Sequence, residues 1–249
     1  TGCTLKISSA SSSILNEPNA LFVNNCSTSF KYLGGPLMLN KGRFTHLNGS
    51  ISAEAFTSFI KNEKYMSINV PVSFTGYGTT ANEAFDNSDT LIVGSALARA
   101  WFNTNFFIKN SGYMTIDGEH KIHSVNNVIE NSGKLILPST FSINAFYIGS
   151  PIINSGTIQN DASLVFSNFG NPLLNNTGTF NNNGRVEGGR HQIGINNNGG
   201  TIVNAGVIEI DTVGSKGIDQ FGTNPTFTNT STGKILLDMI TTDGVGIST

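Results

Sequence analysis

From Asn40 almost to the end of the chain, one short phrase returns about every 22 residues: an apolar residue, Asn-x-Gly or a near variant, then a second apolar run. The copies include LNKGRF, IKNEKYMSI, FDNSDTLIV, IKNSGYMTI, IENSGKLIL, IINSGTI and NNNGGTI. The Asn that opens each core stands at positions 40, 62, 87, 110, 131, 154, 176 and 198, in steps of 22, 25, 23, 21, 23, 22 and 22. A fixed period of this length marks an array, in which one unit cannot bury its apolar face alone and stacks on its neighbours.

Residues 148–210 carry the clearest unit. Each turn holds an apolar-Gly element that often leads into Pro (Ile148-Gly149-Ser150-Pro151, Phe169-Gly170-Asn171-Pro172, Ile193-Gly194), an Asn-x-Gly corner (Asn154, Asn176, Asn198) and a second Asn corner (Asn160, Asn182, Asn204). Leu33-Gly34-Gly35-Pro36 and Phe221-Gly222-Thr223-Asn224-Pro225 match the first element nearer the two ends. Between corners lie alternating segments of three to six residues, with Ile158, Phe180 and Ile202 recurring at one position and Leu164, Val186 and Ile208 at another. Such pieces are strand-length and bounded by breakers; none has the length of a crossover helix.

The pattern predicts an all-β chain: a right-handed, single-stranded parallel β-helix of about nine coils of ~22 residues with loop insertions. Asn110 and Asn131 belong with the corner set above. At these corners Asn tolerates left-handed backbone, can bond local backbone and can stack along the axis, while Gly two residues later permits positive φ. Residues 1–32 read as an N-terminal coil or cap and 33–249 as the helix proper, which ITTDGVGI (240–247) extends as the opening of another coil. Ser52–Ile60 and Ser95–Phe102 show partial helical spacing and read as loops, short helical insertions or loose strands, and 211–228 as a further insertion.

Composition narrows the function classes. Charged residues make up 12% of the chain and the net charge is −2, which argues against electrostatic nucleic-acid binding. Asn is abundant, with 32 copies, yet the apolar 38% is regularly spaced, as in a folded chain. No apolar run is long enough for a membrane-spanning helix, and no signal-peptide pattern opens the chain. Cys3 and Cys26 stand 23 residues apart, about one period. On adjacent coils they would lie about 4.8 Å apart, inside the disulfide range of about 4.4–6.8 Å, and a bridge implies an oxidising compartment. Two free thiols, or a lipid-modified Cys3, are the alternatives.

The phrases Asn-Ser-Gly-Thr-Ile (154–158) and Asn-Asn-Gly-Gly-Thr-Ile (197–202) resemble those of bacterial β-helical surface proteins: autotransporter passengers, filamentous-haemagglutinin-type adhesins and secreted repeat proteins of Bacteroidetes. The resemblance covers about residues 33–247. It implies a right-handed parallel β-helix, export and a place outside the cell or on its outer surface, and it carries over no catalytic residue.

Catalysis on such a fold needs convergent carboxylates on an outward face. Glu187 and Glu209, 22 residues apart, are the best pair, with Arg185, Arg190, His191 and Asp211 near them in sequence. The plainer reading is an outward polar position neutralised by Arg185 or Arg190. His120 and His123 flank Lys121 without the further ligands of a metal set, so no metal or cofactor is expected. Trp101, within an aromatic cluster with Phe102, Phe106 and Phe107, reads as core filling or as a contact surface. The expected function is a non-enzymatic, adhesin-like surface scaffold that displays loops to surface glycans or neighbouring proteins. The alternatives are a carbohydrate-active enzyme or binding module, and a fibre subunit associating end to end.

Overall fold

The computed structural model describes residues 4–7, 14–75, 77–78, 83–94, 96–102, 106–118, 120–124, 128–145, 151–167, 172–237 and 245–248. Among these residues there is no helix, and every strand pairing is parallel. Strands return to the same position one coil later and form a β-solenoid with a ten-stranded sheet along one side and a nineteen-stranded sheet along the rest. The ten-stranded sheet counts its rungs: Leu21–Asn24, Arg43–His46, Tyr65–Ile68, Thr90–Val93, Tyr113–Ile116, Lys134–Leu137, Thr157–Asn160, Thr179–Asn182, Thr201–Asn204 and Thr226–Asn229. No helix of the described residues is long and apolar enough to cross a membrane.

Strand alternation turns every second side chain inward, so the repeat becomes columns. Ile158, Phe180 and Ile202 stack in register and are fully buried, as the period predicts. Leu164, Val186 and Ile208 do the same on a second side. The longest column runs Met38, Ile60, Phe85, Ile108, Ile129, Ile152, Leu174, Ile195 and Ile218 through consecutive coils. Each of these burials stabilises the fold by about 1.5–3 kcal/mol.

The Asn-x-Gly corner is held by an amide ladder. Asn16, Asn40, Asn62, Asn87, Asn110, Asn131, Asn154, Asn176 and Asn197 are buried one above another. Each Nδ2 donates to the Oδ1 of the next at 2.7–2.9 Å. The same amide also bonds backbone: Asn131 donates to the carbonyls of Gly133 at 3.1 Å and Thr157 at 3.0 Å, tying its own corner to the strand above.

Two sequence-level expectations at this corner need correction. The ladder residue in the late coil is Asn197; Asn198 is exposed. Gly199 and Gly200 make that corner one residue longer than the corner before it, so counting back from the Gly selects the wrong Asn of the 196–198 run. At this corner left-handed backbone is confined to the irregular versions, at Asn19, at Gly199 and at Gly222 and Asn224; the regular two-residue corners between Asn40 and Asn176 do not use it. Among the described residues, positive φ occurs at Asn19, Asn224, Gly49, Gly118, Gly199 and Gly222. In the regular corners from Gly112 to Gly178 glycine is required by proximity: a Cβ on Gly156 would lie 2.1 Å from the carbonyl oxygen of Gly133 below it, and one on Gly178 would lie 2.1 Å from that of Gly156, whereas Lys64 and Asp89 fill the same position in two earlier corners.

At the second corner Asn160, Asn182, Asn204 and Asn229 form a shorter ladder, with bonds of 2.8, 2.7 and 2.7 Å. Below Asn160 the position passes to Leu137, Ile116, Val93 and Ile68, then to His46 and Asn24. The Oδ1 of Asn160, which faces Leu137 where an amide would donate, is a buried acceptor without a partner.

The supposed insertions are strands. Ile51–Asn62 and Ala96–Phe102 pair with coils on both sides, because ladder hydrogen bonds outweigh the weak helical spacing. Val207–Phe221 runs through most of the expected insertion at 211–228 and pairs with Arg185–Asn198, taking up its extra residue at a register shift between His191 and Ile193. A similar shift between Leu33 and Pro36 marks the apolar-Gly-Gly-Pro element. Phe221-Gly222-Thr223-Asn224-Pro225 instead fills the corner before Thr226–Asn229, the side that carries the amide ladder in earlier coils.

His46 occupies a ladder site otherwise filled by Asn or an aliphatic residue, fully buried with Asn24 Nδ2 3.3 Å from its Nδ1 and the Asn48 carbonyl 2.9 Å from its Nε2. Desolvation pushes its pKa below the usual 6.5, partly opposed by ring hydrogen bonds to the Asn48 and Cys26 carbonyls. A lowered folded value means that the unfolded chain binds more protons in acid. Stability from this site is therefore full above pH 6.5 and falls as the pH drops through that value toward the folded pKa. In His46→Asn, urea-denaturation midpoints compared at neutral and mildly acidic pH should lose this component; an unchanged acid loss would contradict the assignment.

Candidate functional site

Glu187 and Glu209 stand opposite each other on adjacent coils, both outward. Arg185 bridges them: its Nε lies 3.1 Å from Glu187 Oε2, and its Nη2 bonds Glu209 Oε2. The Arg185 and Glu187 side chains are a little over 40% exposed and that of Glu209 21%. One planar cation thus satisfies two stacked anions through its fork of donors. Asp211 is exposed on the same strand, two residues beyond Glu209, and Arg190 lies where the backbone pairs with Thr212. The structure brings Arg185, Glu187 and Glu209 together. They stand on an outward face whose inward neighbours are the core residues Val186 and Ile208.

Trp101 lies in the strand Ala96–Phe102, its backbone opposite Tyr77 on one coil and His123 on the next. His120 pairs with Ala98 and Phe141. Phe146 and Tyr147 fall outside the described residues, as do Glu119 and Cys3. Among the described residues no group of three His, Cys, Asp or Glu side chains has metal-binding proximity.

A second feature was missed at the level of sequence. On the first coils the amide-ladder corner is enlarged: four residues, Glu17–Ala20, separate Asn16 from the next strand, against two in the following coil. They close a turn, with the Ala20 N–H donating to the Glu17 carbonyl at 3.1 Å and Asn19 in the left-handed region. The turn overhangs Gly42 so closely that a Cβ there would lie 2.4 Å from the Ala20 carbonyl oxygen. Beside it opens a groove of about 370 Å³ lined by Pro18, Leu21, Lys41, Arg43, Lys64 and Tyr65 among others. Arg43 packs over the Tyr65 ring at 5.1 Å. The signal was present in LNKGRF and KNEKYMSI, which place cations just past Asn40 and Asn62 on consecutive coils. It becomes legible only when those coils are aligned on the ladder Asn.

Comparison with protein-family models, with curated proteins and with solved structures finds no match to this chain.

Proposed function

We propose that this chain is a non-enzymatic extracellular or cell-surface scaffold, an adhesin-like stalk segment whose outward faces serve attachment. The observation that carries the reading is the Arg185 bridge. The best-placed carboxylates are bridged by one guanidinium on an outward face, where the Glu187 side chain is 43% and that of Glu209 21% exposed. A cation shared by both carboxylates does little to set one apart as acid and the other as nucleophile. A continuous solenoid with few charges suits display along a rod better than the gathering of reactive groups. Surface glycans or proteins of neighbouring cells are the proposed partners, with nucleic acid excluded from the proposal by the charge balance.

A second reading, a self-associating fibre subunit, is favoured by one observation. Among the described residues, most of the exposed large apolar side chains lie on the first coils (Leu5, Leu15, Leu21, Val23, Leu47) and the last (Phe221, Leu236, Ile247). Such clustering is the kind of surface that association covers.

The proposal places the chain in an oxidising setting with Cys3 bonded to Cys26. Its support is the pairing of Thr4 with Ser27, the residues that follow each cysteine, on adjacent coils. Intact mass before and after reduction should differ by two hydrogens on alkylation-controlled samples. Two thiols labelled without reduction would remove this staple.

The enzyme alternative is tested with a polysaccharide panel scored for new reducing ends or unsaturated products. The expected result is no turnover by the native chain. Turnover that disappears in Glu187→Gln/Glu209→Gln would replace the scaffold with a carbohydrate-active enzyme.

A further inference from the structure

The groove beside the enlarged first corner has a chemistry found at no other place described above. Lys41, Arg43 and Lys64 come from two consecutive coils and converge on one opening. Three carboxylates lie near them, and of these Asp89 offsets Lys64 itself, so that among the described residues the unoffset cations of the rim are Lys41 and Arg43. Asp89 lies 3.7 Å from Lys64 across an exposed pair, Glu63 is held by Lys61 at 3.1 Å, and Glu17 sits exposed on the overhanging turn. A surplus of positive charge remains, in a chain whose net charge is negative.

The groove is not merely basic. Leu21, exposed by 66%, Pro18 and Tyr65 give it an apolar floor. Leu21, Arg43 and Tyr65 are successive outward residues of one column, so floor and cation stack along the solenoid axis. The backbone beneath is rigid. Asn40 Nδ2 donates to the Tyr65 carbonyl at 2.9 Å, and Asn62 Nδ2 donates to the Lys64 carbonyl at 2.6 Å. The Tyr65 ring holds the guanidinium by a cation–π contact and leaves its donor edge available for a planar carboxylate.

We propose that this groove binds the carboxylated sugar units of an acidic polysaccharide. A uronate unit combines a planar anion with the apolar C–H face of its ring, which matches a cationic rim over Leu21 and Tyr65. A bare phosphate has no use for the floor, and a neutral sugar none for the rim. The volume of about 370 Å³ is in the range of small-ligand sites and accommodates a short stretch of glycan rather than a folded domain. The inference rests on the attachment reading and names its ligand class.

The test uses polygalacturonate, its methyl ester and, as controls for a bare electrostatic field, dextran sulfate and duplex DNA, with binding followed by affinity electrophoresis and calorimetry. The native chain should bind polygalacturonate, more weakly as salt rises, and bind the ester, the sulfated polymer and DNA at least about tenfold more weakly. Arg43→Gln/Lys64→Gln should weaken polygalacturonate binding by about tenfold or more with an unchanged thermal midpoint. Should that variant misfold, Lys41→Gln, at a half-buried corner position outside the strands, provides the same comparison. Equal binding of acid and ester, equal binding of DNA or dextran sulfate, no binding at all, or full binding by a folded variant overturns the proposal. Each of these leaves the scaffold intact, whereas polysaccharide turnover would remove the scaffold reading whether or not the groove binds.

Discussion

A single hydrogen bond repeated along the axis sets the terms for the rest of this fold: side-chain amide Nδ2 to side-chain amide Oδ1, one coil to the next. It runs through nine asparagines from Asn16 to Asn197 at 2.7–2.9 Å. That contact closes only if successive coils are stacked at strand spacing, about 4.8 Å, and if every coil returns an Asn to the same corner. From Gly112 to Gly178 the corner Gly adds a second constraint, since the backbone of the coil below fills the place of its Cβ. The remaining sides are freer. Steps along the ladder vary from 21 to 25 residues because extra length is absorbed elsewhere, as at the register shifts near Pro36 and Ile193.

The ladder is directional, which gives meaning to its interruptions. At the second corner the amide chain begins at Asn160, and its oxygen is left without a donor because Leu137 lies below. Such a buried acceptor costs about 1–3 kcal/mol. The aliphatic run Ile68, Val93, Ile116 and Leu137 shows that this corner can also be closed by burial alone. Polar and apolar solutions thus alternate at one structural position within one chain, with His46 as the single titratable occupant among the described rungs.

These features explain what the sequence disclosed. The parallel solenoid and its inward columns at Ile158, Phe180 and Ile202 were legible, because like residues recur at a fixed step. The physical role of the corner was legible only in part. Stacking of Asn could be anticipated, and so could positive φ at a corner Gly, which Gly199 adopts, but the need for Gly at the regular corners came from a carbonyl one coil away rather than from its own φ. The choice between Asn197 and Asn198 was hidden by a three-Asn run and a lengthened corner. Strands at Ile51–Asn62, Ala96–Phe102 and Val207–Phe221 were obscured because their pairing is wholly long-range. The pair Glu187 and Glu209 could be placed from spacing alone. The groove of Lys41, Arg43 and Lys64 could not, since its wall is the irregular turn Glu17–Ala20. Irregularity at one corner is what converts a uniform rod into a surface with a distinct recess.

The central claim, that the buried amide ladder holds the coils in register, is tested most directly by equilibrium chemical denaturation of Asn131→Ala beside Asn181→Ala. Asn131 is a buried mid-ladder residue with bonds to Asn110 and Asn154, whereas Asn181 is an outward residue of the same type. Loss of Asn131 leaves the buried Oδ1 of Asn154 without its donor and removes the bonds to the Gly133 and Thr157 carbonyls, at about 1–3 kcal/mol for each group left unpaired, so a destabilisation of about 2–5 kcal/mol is predicted against less than about 0.5 kcal/mol for Asn181→Ala. Equal, small effects of the two substitutions would contradict the account and leave the apolar columns as the only source of register.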